Sequence, residues 1–182
     1  MSEPMKSNPI LRLGSFCSVY IDWANVYGWK KSLKREINSR KLFKHLKTYK
    51  QIKNFNFYFG TDEHPKSKQF LEDVKQTGYS LTTKPVKYIT VFNEKGQRFK
   101  FRKCDFDIEI CIQAHDDLAK GINSFVFFSG DGDFEPLYQL LHRKKKQVVV
   151  VYASGHTGRE VLKIERKIYL CNIKKFIQLG YA

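Results

Sequence analysis

The sequence contains no apolar run that approaches the roughly 20 residues needed to cross a bilayer. Its first residues, Met-Ser-Glu-Pro-Met-Lys-Ser-Asn-Pro, lack the apolar centre of a secretory signal. The four cysteines include no Cys-x-x-Cys pair, which disfavours a zinc knuckle or a redox motif; they are Cys17, Cys104, Cys111 and Cys171. We therefore expect a cytoplasmic protein with free thiols and no membrane partner.

The motifs of several enzyme classes are missing as well. There is no Gly-x-x-x-x-Gly-Lys-Ser/Thr loop for nucleoside triphosphates, and Gly130-Asp131-Gly132 is too short for a dinucleotide fingerprint. Neither the Gly-x-Ser-x-Gly turn of α/β-hydrolases nor the His-Glu-x-x-His helix of zinc proteases occurs. The five histidines are scattered without the spacing of metal ligands, so we interpret most of them as surface or packing residues.

Acidic residues are scarce relative to basic ones. The chain has 18 Asp and Glu against 33 Lys and Arg, which gives a net charge of +15 at pH 7. This excess favours a polyanionic partner, nucleic acid first and an anionic membrane surface second, although a basic protein can also be merely well solvated. Basic residues concentrate around 30–35, 98–103 and 143–146, where we expect contacts with a phosphate backbone.

Short apolar segments alternate with segments of helical periodicity, which predicts a single α/β domain with a mainly parallel sheet. Residues 1–14 are predicted to form a flexible N-terminal tail and residues 15–182 the domain. Strands are expected at 16–22, 55–60, 79–84, 123–128 and 148–152, and helices include 66–77, 105–119, 134–143, 159–167 and 172–179. Residues 88–101 predict a β-hairpin in which basic and aromatic residues interleave. The hairpin could offer a nucleic-acid surface or be a ribbon with one solvated face.

Acidic side chains follow the ends of predicted strands. Asp22 closes the first strand, Asp131 and Asp133 follow the fourth, and Asp105 and Asp107 begin the helix after the hairpin. Each acid alone could equally cap a helix. If the first and fourth strands are neighbours, however, their carboxyl ends meet, and clustered carboxylates must protonate, pair or bind cations. Aspartate oxygens suit Mg²⁺ or Mn²⁺, and such ions promote phosphodiester cleavage, which agrees with the basic exterior.

Several segments in the correct order resemble the NYN domain, a branch of the PIN-like nucleases. Asp22-Trp-Ala-Asn25 is similar to the Asp-x-x-Asn opening of that family, and Arg102-Lys-Cys-Asp105-Phe-Asp107 resembles its Lys-Gly-Val-Asp segment. The segment Ser129-Gly-Asp131-Gly-Asp133-Phe-Glu-Pro is similar to the family signature Ser-Gly-Asp-x-Asp-Phe-x-Pro. The resemblance extends from about residue 16 to residue 176.

This resemblance implies a three-layer α/β/α sandwich with central strands in the order 3-2-1-4-5 and a protruding hairpin. It also implies a ribonuclease that cleaves RNA, single-stranded or in structured loops, with water activated by Mg²⁺ or Mn²⁺. The implied catalytic and metal-binding residues are Asp22, Asp105, Asp131 and Asp133, with Asp107 ranked lower. Candidate substrate contacts are Asn25, Lys103, Ser129 and Arg159. The oligomeric state is left open, and a homodimer is compatible with the sequence.

Two alternatives stay open at this point. A non-catalytic RNA-binding or regulatory NYN module would keep the acidic cleft and bind RNA without cleaving it. A metal phosphatase or a TOPRIM-type site would also use an Asp-x-Asp pair such as Asp131 and Asp133. TOPRIM sites normally have a glutamate after the first strand, where this chain has Asp22.

Overall fold

A computed structural model describes residues 9–164 and 167–182. These residues form eight strands: β1 Cys17–Asp22, β2 Ile52–Thr61, β3 Ser80–Pro85, β4 Lys87–Phe92, β5 Arg98–Lys103, β6 Ser124–Phe128, β7 Gln147–Tyr152 and β8 Tyr169–Asn172. They also form eight α-helices: α1 Trp23–Gly28, α2 Lys30–Leu33, α3 Ser39–Leu46, α4 Pro65–Lys75, α5 Asp107–Ala119, α6 Glu135–Arg143, α7 Arg159–Lys163 and α8 Lys174–Gln178. A short 3-10 turn, Gly132–Phe134, precedes α6.

Six strands form one parallel sheet in the order β3-β2-β1-β6-β7-β8. When the hairpin strands are left out of the count, this confirms the predicted order 3-2-1-4-5 and adds β8 as a sixth strand. The central strands β1 and β6 are buried along their whole length, as expected for parallel strands covered on both faces. The acids that follow these two neighbours therefore reach the same edge of the sheet.

Helices cover both faces of the sheet, because successive side chains of each strand point in opposite directions. In β6, Val126 and Phe128 enter one apolar core, whereas Phe125 and Phe127 enter the other. The first core includes residues of α1, α3, α4 and α8, and the second includes residues of α5, α6 and α7. The predicted three-layer α/β/α architecture is confirmed. No helix within the described segments is long and apolar enough to span a membrane.

The predicted hairpin is also confirmed. Strands β4 and β5 pair in antiparallel register from Lys87 opposite Lys103 to Phe92 opposite Arg98, and form a separate two-stranded sheet. The turn between them contains Gly96 at φ 72°, a left-handed conformation that glycine adopts without strain. Every residue of both strands is exposed, so the hairpin projects from the sandwich as a ribbon.

The C-terminal part differs from the prediction. The predicted helix 159–167 ends at Lys163 in the structure, and its residues 165 and 166 lie outside the described residues. Residues 169–172 form β8, which pairs with Val149–Tyr152 of β7. The predicted start of the last helix at residue 172 was also wrong, because Asn172 ends β8 and its side chain accepts a hydrogen bond from Lys174 N before α8.

Residues 9–14, assigned to the tail from sequence, contact the domain. Leu11 is only 3% exposed, and its N–H donates to the hydroxyl of Tyr49. The side chain of Gln147 accepts from Gly14 N and donates to the carbonyl oxygen of Arg12. Residues 1–8 of the predicted tail lie outside the described residues.

Candidate functional site

Asp22 lies at the carboxyl end of β1, where the chain enters α1. Its side chain accepts a hydrogen bond from Asn25 N at 3.3 Å and so caps the helix. The residue is only 7% exposed. The pKa of Asp22 is raised to about 6, chiefly by burial and in smaller part by the negative charges of Asp107 and Asp131. Asp22 is therefore a buried acid within electrostatic reach of two other carboxylates.

Asp131 lies in the turn that follows the neighbouring strand, β6. The buried hydroxyl of Ser129 accepts a hydrogen bond from Asp131 N at 3.2 Å. Asp131 Oδ1 in turn accepts from Asp133 N at 3.0 Å, which caps the 3-10 turn. Asp131 is half-buried, whereas Asp133 is exposed. The turn therefore presents Asp131 toward Asp22 and leaves Asp133 at the rim.

Glycines fix this turn against the loop that follows β7. A Cβ atom on Gly130 would overlap the carbonyl oxygen of His156, and one on Gly158 would lie 2.6 Å from Gly132 Cα. Gly158 N donates to the carbonyl oxygen of Gly130 at 2.7 Å. Two backbone segments thus pack in direct contact, which only residues without side chains permit at these positions. The position of Asp131 depends on this contact.

Asn25 connects the ends of β1 and β6. Its side-chain oxygen accepts from Gly130 N at 3.1 Å and from the indole N–H of Trp29 at 2.9 Å. The sequence predicted Asn25 as a substrate contact; in the structure its amide oxygen holds α1 against the turn that contains Asp131. Asn25 is accordingly placed to fix the spacing of the two acids.

The two acids before and within α5 differ in their surroundings. Asp107 is the first residue of α5 and is half-buried. Burial raises its pKa to about 6, and the charges of Asp131, Asp105 and Asp133 contribute in the same direction. The side chain of Asp105 is 53% exposed and lies 3.8 Å from Lys103 Nζ. Asp107, ranked below Asp105 from sequence, is the acid of this segment whose charge acts on Asp22.

Lys84 is a neighbouring cation that the sequence did not single out as a site residue. Its Nζ lies 2.6 Å from Glu109 Oε1 and 4.7 Å from the ring centroid of Phe106. The charge of Lys84 partly offsets the rise in the pKa of Asp107. Its position near the end of β3, an outer strand of the same parallel sheet, was the signal that could have identified it.

Tyr138 of α6 lies fully buried beneath the acids. Its hydroxyl has no hydrogen-bond partner in the parts of the chain that the structure describes. Burial raises the pKa of Tyr138 well above its usual range, and the charges of Asp131 and Asp22 add to this effect. A buried hydroxyl without a partner is unusual because its desolvation is uncompensated. The sequence analysis did not single out Tyr138.

The remaining predicted contacts lie around this centre. Lys103 ends β5 beside Asp105. Arg159 is exposed at the first position of α7. The basic segment 143–146 precedes β7 and therefore lies at the amino ends of the parallel strands, whereas the acids lie at their carboxyl ends.

The acids suit a divalent cation chemically, although they do not enclose one. Within residues 9–164 and 167–182, no three His, Cys, Asp or Glu side chains converge closely enough to hold a metal ion. Asp22, Asp107 and Asp131 nevertheless influence one another electrostatically, and no ion pair in this part of the chain neutralises them. Aspartate oxygens are the donors that Mg²⁺ and Mn²⁺ prefer.

A parallel α/β/α sandwich with acids after its central strands is the architecture that the resemblance to the NYN domain, a branch of the PIN-like nucleases, implied. A model of the NYN domain family matches residues 17–171. The low amplitude and bright protein LabA of Synechococcus elongatus is 31% identical over 131 residues, which cover 70% of this chain and 68% of LabA. The chain belongs to the NYN domain family, as its motifs predicted.

A solved structure shares the fold. The crystal structure of a protein of unknown function from Vibrio parahaemolyticus RIMD 2210633 superposes with a TM-score of 0.69 at 20% sequence identity. The match covers 93% of this chain and 96% of the Vibrio chain. The sandwich and its strand order are therefore found in another chain of distant sequence.

Proposed function

We propose that this chain is a ribonuclease that hydrolyses RNA phosphodiesters with the aid of Mg²⁺ or Mn²⁺. The observation that carries the proposal is the placement of two acids, the buried Asp22 and the half-buried Asp107, within electrostatic reach of Asp131. Burial first and the neighbouring charges second raise the pKa of both acids, and acids perturbed in this way are frequent where a site binds a ligand. The NYN family membership and the net charge of +15 support RNA as the substrate.

Asp22, Asp107 and Asp131 would hold the ion, with Asp133 at the rim. A bound divalent ion supplies charge neutralisation and a water of lowered pKa. The chain's own residues position this centre, because Asn25 and Ser129 hold the turn that contains Asp131. The Tyr138 hydroxyl, which has no hydrogen-bond partner among the described residues, would donate to a carboxylate oxygen that turned toward it.

Asp105 has a lesser role in this proposal than the family resemblance implied. It precedes α5, is more than half exposed and lies near Lys103. The charge of an exposed carboxylate is stabilised by water, and a nearby lysine balances part of it, so such a carboxylate does not require a metal ion. We therefore place Asp105 at the entrance to the centre and Asp107 within it.

The test compares Asp107→Asn with Asp105→Asn, two isosteric changes two residues apart. Labelled single-stranded RNA and DNA of the same sequence are incubated with Mg²⁺, Mn²⁺ or EDTA, and the products are resolved on denaturing gels. We expect cleavage of RNA only with metal, a loss of about 100-fold or more for Asp107→Asn, and a change below about tenfold for Asp105→Asn. Equal activity of wild type and Asp107→Asn would contradict the proposed centre.

One observation favours a second candidate function. Since no three acidic or other ligand side chains converge in the described residues, the edge could serve an RNA-binding module that does not cleave. This alternative predicts salt-sensitive RNA binding, no cleavage with either metal, and no effect of Mn²⁺ on the melting temperature.

A further inference from the structure

The β4–β5 ribbon has two chemically different faces. Residues directly opposite each other in antiparallel strands point to the same side, and so do residues two apart in one strand. The register places Tyr88 opposite Arg102, Thr90 opposite Lys100, and Phe92 opposite Arg98. These six residues form one side of the ribbon, which we call the basic-aromatic face.

The other side of the ribbon is apolar. It pairs Ile89 with Phe101 and Val91 with Phe99, next to the terminal pair Lys87 and Lys103. All four apolar side chains are exposed. Basic and apolar residues alternate along β5, and the strand pairing places the two kinds of side chain on opposite faces of the ribbon.

The rings of the basic-aromatic face are freely accessible. Tyr88 is 57% exposed and Phe92 is 68% exposed. They lie four positions apart in an extended strand, so their Cα atoms are about 13 Å apart along it. Exposed aromatic rings with a guanidinium or ammonium group on the facing strand match the alternation of bases and phosphates in a single strand. Bases in a duplex are already stacked and could not use such rings.

Arg102 links this face to the acidic edge. Its guanidinium donates to the carbonyl oxygen of Gly60 at 3.4 Å and to Asp62 at 3.1 Å. The same residue lines a cleft of about 550 Å³ whose wall includes Trp23, Phe59 and Phe70. Trp23 directly follows Asp22 in the chain. At Arg102 the basic-aromatic face therefore adjoins a cleft with aromatic walls, which also contains Asp62 and Glu36 and extends to the residue next to Asp22.

We infer that a single strand of RNA lies along the basic-aromatic face and enters this cleft. Bases stack on Tyr88 and Phe92, while Arg98 and Lys100 contact the phosphates. Arg102 lies where the face meets the cleft. The choice of RNA rests on the proposed function, whereas the surface itself rests on the register, the exposure and the charges of the ribbon. The apolar face takes no part in this contact.

The experiment measures binding without cleavage. Fluorescence anisotropy in EDTA gives the Kd of each protein for a short labelled single-stranded RNA over a range of salt concentrations. Tyr88→Ala/Phe92→Ala is compared with Phe99→Ala/Phe101→Ala, which removes two aromatic rings from the opposite face of the same ribbon. We expect the first pair to weaken binding at least about fivefold per ring, and the second pair to change Kd less than about twofold.

A second comparison tests the charges. The association constant falls with salt, and each phosphate contact in a single strand contributes about 0.7 to the steepness of log K against log salt concentration. Arg98→Ala/Lys100→Ala removes two such contacts and should make this slope shallower by about 1.4. Arg143→Ala/Lys144→Ala removes the same two residue types from the opposite edge of the sheet and should leave the slope unchanged. Circular dichroism melting checks that all four variants fold.

The outcomes separate this inference from the proposed function. Equal weakening by both aromatic pairs, no weakening by either, or no RNA binding by the wild type overturns the inference. If the chain binds RNA through Tyr88 and Phe92 but cleaves none with Mn²⁺, the proposed ribonuclease activity is refuted and the proposed binding surface is supported. If the chain cleaves RNA and the Tyr88→Ala/Phe92→Ala variant binds RNA normally, the proposed binding surface is refuted and the proposed ribonuclease activity is supported.

Discussion

Replacing Asp22 by asparagine removes a buried negative charge and keeps a side-chain oxygen that can accept the hydrogen bond from Asn25 N. A pKa of about 6 against an ordinary value of 3.8 corresponds, at 1.36 kcal/mol per pKa unit, to about 3 kcal/mol. Because the pKa is raised in the folded state, ionised Asp22 destabilises the fold at neutral pH. Without metal, the Asp22→Asn variant should therefore be more stable than wild type by up to about 3 kcal/mol.

The assay is thermal unfolding in EDTA at several pH values. For a chain of this length, about 3 kcal/mol corresponds to a rise in Tm of about 6–12 °C at pH 7.5. The destabilisation by Asp22 develops as pH rises from about 3.8, where the unfolded chain ionises, to about 6, where the folded chain does. The difference between variant and wild type should accordingly fall below about 1 kcal/mol at pH 4.

Asp105→Asn provides the control, since it removes an exposed acid from the same edge. We expect it to change the free energy of unfolding by less than about 0.5 kcal/mol. An Asp22→Asn variant that melts below wild type at pH 7.5 in EDTA, or above it by the same margin at pH 4, would refute the argument from buried charge. Under the proposed function, Mn²⁺ should stabilise wild type and should stabilise Asp22→Asn much less.

Two further predictions concern packing. Gly130→Ala should destabilise the domain by about 1–3 kcal/mol or more, because the new methyl group overlaps the His156 carbonyl, whereas Gly28→Ala, with no atom within 4 Å, should be neutral or stabilising by up to about 1 kcal/mol. Equal Tm values for the two variants would contradict the described backbone contact. Leu11→Ala should cost about 2–5 kcal/mol in urea unfolding if residues 9–14 belong to the domain, while exposed Arg12→Ala should cost less than about 0.5 kcal/mol.

The central strands could be predicted because they carry strong local signals, whereas their order was implied by the resemblance to the NYN domain. Phe125–Phe128 and Val148–Val151 are uninterrupted apolar or β-branched segments, and both were recognised as buried strands. Strand β8 has only four residues, Tyr-Leu-Cys-Asn, and pairs with β7 alone. Its strand conformation depends on hydrogen bonds with β7, and this pairing cannot be predicted from four residues alone.

The ranking of Asp105 above Asp107 came from the resemblance to the Lys-Gly-Val-Asp segment of the NYN domain. Helical periodicity placed the start of α5 at residue 105, two residues earlier than the structure does. In the structure Asp105 precedes the helix and is exposed, whereas Asp107 is the first helical residue and is half-buried. Apolar patterns define the face of a helix more reliably than its first residue, so the sequence located the acidic segment but not the burial of each acid.

The side-chain oxygen of Asn25 is the shared acceptor for the indole N–H of Trp29 and the backbone N–H of Gly130. The Gly130 N–H can exchange with solvent only when it leaves the Asn25 oxygen, so its exchange should report the local opening between α1 and the turn after β6. Because α1 begins directly after Asp22 and this turn contains Asp131, the same opening changes the spacing of the two acids.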